Sequence, residues 1–218
     1  LIEYEKGDVK ICIEQGEQWL HDFPLFLGIN KKNPPQIAIW LEDTQGNYLS
    51  TVYVTHKIAT QSWQASGGNR RKEALPHWCY SRGVKYDDGL YLPTKKEPLI
   101  DGISGATPHE SFDIKLNPAT ALKKFVVKIE INHSTDFNEA FPKSAKDGEA
   151  NYSGGKEGSG QPAIVYAANV DLSKGEKSFE ANLMGHSSPD GSSGEVNKDT
   201  SGLTTALHIV KRITVIIQ

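Results

Sequence analysis

Apolar and polar residues alternate along most of this chain, and a period of two is the spacing of a half-buried strand. In DVKICIEQ, Val9, Ile11 and Ile13 alternate with Lys10, Cys12 and Glu14. PQIAIWLED and YLSTVYVTHK flank the turn residues TQGN and predict a hairpin with Ile37, Ile39 and Leu41 on one face. ESFDIKL predicts a short strand. In LKKFVVKIEINH, Phe125, Val127, Ile129 and Ile131 share the inward side. PAIVYAANVDL, SFEANLMGH and the final TTALHIVKRITVIIQ continue the pattern, rich in the β-branched and aromatic residues that suit a pleated surface. Helical signals are few: a turn in EQWLHDF, and one or two turns in GNRRKEALPHWCY before Pro76. The expected fold is all-β, an antiparallel immunoglobulin-like β-sandwich forming a single domain over residues 1–218.

The spacing of the strands is uneven. From Ile58 to Pro108 about fifty residues pass without a clear strand, longer than a simple connection. This segment holds Trp63, Trp78, Tyr80, Tyr86 and Tyr91, so it is expected to be an ordered, aromatic-rich insertion packed over one sheet. The loops SGGKEGSG and SSPDGSSGEVNKDTSG are polar and glycine-rich and read as exposed tips.

Composition narrows the classes of partner. The 218 residues are 37% hydrophobic and 23% charged, with a net charge of −3, which gives no reason to expect nucleic acid or an anionic membrane. No apolar run approaches the ~20 residues of a membrane helix. The first residue is Leu1 and the single methionine is Met184, so removal of an upstream segment and a periplasmic, cell-surface or secreted location are expected. Cys12 and Cys79 fit no metal or redox motif, and either a disulfide between them or two isolated thiols is compatible with the spacing.

Groups able to do chemistry are scattered. No two of the seven histidines have the spacing of a typical metal site, and NHSTDFNE, with His133, Asp136 and Glu139, reads as a solvated acidic loop; no metal is expected. There is no Gly-x-Ser-x-Gly elbow, and PHWC keeps its cysteine and histidine in one local segment, so no catalytic residue is assigned. Arg70 and Arg71 in GGNRRKE stand at the start of the aromatic insertion, where guanidinium groups can hold a phosphate or carboxylate. With Trp78 and Tyr86 they form the expected ligand-binding set.

The least ordinary stretch is DGISGAT, Asp101 to Thr107. Small residues at Gly105 and Ala106 would leave the Thr107 hydroxyl open to an incoming protein, while Asp101 braces the loop. The plainer alternative is a tight turn with Gly105 at positive φ and the Thr107 side chain bonded to backbone. The stretch resembles the acceptor signature of bacterial proteins that carry FMN covalently: Asp, two variable residues, Ser or Thr, Gly or Ser, Ala, then Thr or Ser. That resemblance implies FMN joined through its phosphate to Thr107, with Asp101, Ser104, Gly105 and Ala106 completing the site. Over residues 36–131 the chain is also similar to a bacterial family of predicted periplasmic proteins of unknown function found near flavin transferases and membrane redox components. The shared features are Trp40-x-Glu42-Asp43, a Gly turn, Leu75-Pro76-x-Trp78 and Ser104-Gly105-Ala106-Thr107. The resemblance implies export and a membrane-associated redox protein or flavin transferase as partner. The expected role is a non-enzymatic binding or docking module, with a covalent FMN carrier or a carbohydrate-binding module as alternatives.

Overall fold

The computed structural model describes residues 8–24, 30–63, 70–99, 102–118 and 122–218. Val9, Ile11 and Ile13 are buried on one side of β1 (Val9–Gln15), and Lys10, Cys12 and Glu14 are half-buried on the other. β1 sits between β7 (Phe112–Leu116) and β13 (Val210–Ile217), and β10 (Ser178–Glu180) pairs with the far side of β13. These four strands form an antiparallel sheet.

The second sheet has seven strands. Within it β4 (Gln36–Glu42) lies between β5 (Tyr48–Thr55) and β8 (Lys124–Asn132). β9 (Ile164–Asp171), β11 (Asn182–Ser187) and β12 (Val196–Asn197) continue beyond β8, and β6 (Ile103–Gly105) closes the other edge. All its pairs are antiparallel except β5 with β6, so the sheet is not wholly antiparallel as expected. A two-stranded ribbon, β2 (His21–Pro24) with β3 (Asn30–Asn33), stands apart from both sheets.

The inward faces of the two sheets share one apolar cluster: Ile11, Ile13, Ile213 and Val215 from the first meet Ile37, Ile39, Val127 and Ile129 from the second. β4 is buried along its entire length rather than on alternate residues, because its outer face is covered as well. There Ala38, Trp40 and Val54 pack with Ile58, Leu75, Trp78, Cys79 and Leu92. The aromatic insertion is therefore an ordered cap over the outer face of the seven-stranded sheet. It contains two short helices, α1 (His56–Thr60) and α2 (Pro76–Ser81).

Several local expectations are revised. EQWLHDF holds a single hydrogen-bonded turn, the Trp19 N–H donating to the Gly16 carbonyl at 3.2 Å, and its end forms β2. The helical turns lie after Pro76, not before it, because proline is tolerated at the first helical position, where no N–H partner is lost. SFEANLMGH is two strands belonging to different sheets, β10 and β11, with the crossing at Ala181. Residues 58–108 contain a strand after all, β6. Both cysteines are free thiols: Cys12 lies on the outer side of the four-stranded sheet and Cys79 is on α2, buried against the outer side of the other, so no disulfide joins them.

Candidate functional site

Glycine at position 102 lets β6 lie against β5, since a Cβ there would sit 2.7 Å from Thr51 Cγ2. From that start Ile103, Ser104 and Gly105 run parallel to Tyr53, Val54 and Thr55. The Tyr53 hydroxyl donates to the Gly105 carbonyl at 3.1 Å, and the hydroxyls of Thr107 and Thr55 lie 2.7 Å apart. Beyond them the Trp19 indole N–H donates to the Pro108 carbonyl at 3.1 Å. The Ser-Gly-Ala-Thr run is thus an edge strand and its exit. Gly105 does not take positive φ, and Thr107 bonds a side chain rather than backbone, so it is not the tight turn. Nor is the Thr107 hydroxyl open to an incoming protein: the residue is 5% exposed, because packing against β5 outweighs the small size of its neighbours. Ala106 and Ser104 are exposed, and Asp101 lies outside the described residues.

Ala106 and Thr107 form part of the wall of a cleft of about 500 Å³. The ribbon contributes His21, Lys31 and Asn33; the link into β4 contributes Pro34, Pro35 and Gln36. His56 and Lys57 at the start of α1, Trp63 and Arg71 from the cap, His109, and His133 at the end of β8 complete most of the lining. Seven of these side chains are basic or imidazole: His21, Lys31, His56, Lys57, Arg71, His109 and His133. The single carboxylate is Glu157. In a chain of net charge −3, counted with histidine neutral, the cations this brings to one place are Lys31, Lys57 and Arg71.

These groups are not equivalent. Arg71 is 4% exposed, and its guanidinium donates to Glu73 Oε1 at 2.8 Å, Ser134 Oγ at 2.5 Å and Ser159 Oγ at 3.0 Å. It also lies 4.6 Å from the centroid of the Trp63 ring, whose indole N–H is held by Gln61 Oε1 at 2.9 Å. Arg71 is therefore committed to structure and fixes Trp63 in the wall. His133 is buried, and burial pushes its pKa down to about 3. Its Nε2 meets the Gln18 carbonyl at 2.8 Å; a carbonyl only accepts, so His133 is neutral with its proton on Nε2. Its ring lies 5.1 Å from that of His21. Lys31, Lys57, His56 and His109 are exposed, and none forms an ion pair among the described residues.

Of the expected ligand-binding set, only Arg71 reaches this cleft. Trp78 is fully buried in the outer-face cluster, with its indole N–H donating to Thr51 Oγ1 at 3.1 Å. Arg70 is ion-paired with Asp88, donates to the Leu92 carbonyl, and lies over the Tyr86 ring at 5.8 Å from its centroid. Arg70 and Tyr86 come together within the cap, away from the groups that line the cleft. Sequence reasoning missed His21, Lys31, His56, Lys57 and His109, which come from four separate segments with no shared spacing. Outside the motif and the arginine pair, the sequence marked two cleft residues: Trp63, in the aromatic count of the insertion, and His133, whose stretch was read as a solvated acidic loop although His133 and Asp136 are buried.

No group of three or more His, Cys, Asp or Glu side chains among the described residues is arranged to hold a metal ion. No helix among them is long and apolar enough to cross a membrane. Compared with family models, curated proteins and solved structures, the chain matches none. Its chemistry is therefore read from its own side chains.

Proposed function

We propose that this chain is a non-enzymatic binding module of immunoglobulin-like build, working outside the cytoplasm beside a flavin-linked membrane redox system. Its working surface is the basic cleft. The observation that carries this is the meeting, in one cavity, of the end of the DGISGAT stretch with free cations: Ala106 and Thr107 share the lining with Lys31, Lys57 and Trp63. The lining offers cationic and hydrogen-bonding groups but no nucleophile paired with a base. Of the hydroxyls in its wall, Thr107 and Thr55 face each other and Ser134 accepts from Arg71, so none of them is paired with a base.

A second reading is favoured by the same placement, namely a carrier with FMN joined to Thr107. Lys31 and Lys57 fit a phosphate, and Trp63 gives the cleft an aromatic wall. Bound flavin would supply one- and two-electron redox chemistry, and the residues named would only hold and orient it. Attachment requires the 106–108 exit to open, since the acceptor hydroxyl points at Thr55. A carbohydrate module loses Trp78 as a stacking surface, because that ring is fully buried.

Co-expression with a flavin transferase, followed by intact mass measurement, tests the flavin link. A gain of one FMN that Thr107→Ala abolishes makes the chain a carrier. Pull-down of a membrane redox protein by chain of unchanged mass supports the docking role. An unchanged mass together with no redox partner in the pull-down removes both.

A further inference from the structure

We infer that the cleft binds a small multivalent oxyanion through Lys31 and Lys57, without covalent attachment. This rests on the cleft being the working surface, as proposed above, but not on flavin. Three observations lead to it. Lys31, Lys57, His56 and His109 are exposed, line one cavity, and have no ion-pair partner among the described residues. The stretches 25–29 and 64–69, which adjoin Lys31 and Trp63 in sequence, contain no acidic residue; the acidic residues outside the described residues are Glu3, Glu5 and Asp101.

Elsewhere on the surface several basic side chains do have carboxylate partners. Lys32 pairs with Asp22 at 3.2 Å, Lys10 with Asp113 at 3.4 Å, Lys124 with Asp171 at 3.1 Å, and Arg212 with Glu14 at 2.5 Å. In a chain with more carboxylates than lysines and arginines, this cavity has Glu157 alone. Like charges gathered round a cavity repel one another, and an anion seated between them relieves that repulsion.

The walls are also preset. Pro34 and Pro35 fix the backbone dihedrals on one side, and Arg71 locks Trp63 on another. Little ordering cost then falls on binding. A volume of about 500 Å³ is within the range of small-molecule sites and larger than one phosphate group requires, so the anion carries an organic or second anionic part. Phosphoryl and carboxylate compounds share the oxyanion chemistry the lysines recognise.

The test is calorimetric titration of the full chain with inorganic pyrophosphate and, separately, with citrate, at low and raised salt. Binding is expected to be saturable and salt-sensitive, and about tenfold weaker in Lys57→Gln and in Lys31→Gln. Lys32→Gln, next to Lys31 but paired with Asp22, is expected to leave it unchanged. Binding of pyrophosphate alone assigns phosphoryl ligands, of citrate alone carboxylate ligands, and of both a general multivalent oxyanion site. No saturable binding of either anion overturns the inference, as does an equal loss in Lys32→Gln, which would mark diffuse surface charge. Because the test uses unmodified chain, FMN could still be found on Thr107 after this inference had failed, and the reverse holds equally.

Discussion

The cap and the cleft lie side by side on the seven-stranded sheet, share Arg71 and Trp63, and use polar groups in opposite ways. In the cap many buried polar groups are directed at another part of the chain, although Arg70 Nε and His77 Nε2 are buried without a hydrogen-bond partner among the described residues. Glu130, on β8, accepts the backbone N–H groups of His77 at 3.1 Å and Trp78 at 2.8 Å, and so fastens the start of α2 to the sheet. Arg71 is used up on Glu73, Ser134 and Ser159. In the cleft Lys31 and Lys57 enter no ion pair among the described residues, and Lys57 lies over the Trp63 ring at 5.8 Å from its centroid. A basic or aromatic residue type therefore says little about binding until it is known what it faces: Arg70, Arg71 and Trp78 hold the fold together, whereas Lys31 and Lys57 remain available.

The largest effect should come from Trp78. If its role is packing, Trp78→Ala leaves a cavity between α2 and β4 and costs about 3–5 kcal/mol in urea unfolding. Tyr86→Ala, at a half-buried position in the cap, should cost about 1 kcal/mol. Comparable small losses in both would mean that the cap is not built on Trp78, and the contrast between the two regions would dissolve.

The strands were legible because alternation is a local property: β1, β4, β5, β7, β8, β9 and β13 fall within the runs that show it. The cap was legible as well, since five aromatics in one strand-poor segment needed something to cover. The ribbon, the parallel β6 and the split of SFEANLMGH were not, because each depends on which distant segment lies alongside. The cleft was half visible. DGISGAT marked one wall, but Lys31, Lys57 and His109 are ordinary surface residues until the chain brings them together. The burial of Thr107 was hidden for the same reason: nothing within seven residues of it reveals that Thr55 is its neighbour.

Intermediate effects should follow pH, and they separate the two regions by opposite signs. Burial lifts the Glu130 carboxyl from an ordinary 4.5 to about 7, so the folded chain keeps a proton that the unfolded chain releases between those values. Stability from this group falls as pH rises through that window. Burial lowers His133 from 6.5 to about 3, so below pH 6.5 the unfolded chain takes the proton first and stability falls as pH drops. Together the two groups place the maximum between 4.5 and 6.5. Urea midpoints measured across this range should show Glu130→Gln flattening the neutral side by an amount on the order of 1–3 kcal/mol. His133→Gln should flatten the acid side. An unchanged profile in Glu130→Gln would mean that its carboxylate is already charged throughout, and that α2 is held by an ion rather than by a shared proton.

The smallest effect lies at the boundary between the regions, in the Thr55–Thr107 pair. Thr55 Oγ1 does more than meet Thr107 at 2.7 Å: it accepts the Ile37 N–H at 2.9 Å. Thr55→Val leaves a buried backbone donor without a partner and should cost about 2 kcal/mol. Thr107→Val removes one hydroxyl whose partner keeps its bond to Ile37, so about 1 kcal/mol or less is expected. The double substitution should cost little more than Thr55→Val alone, since the Thr107 hydroxyl has already lost its bond to Thr55 there, and a double-mutant cycle reads that coupling directly. Strict additivity would show that the hydroxyls do not bond in solution. Thr107 would then be free to turn into the cleft, where the carrier reading needs it.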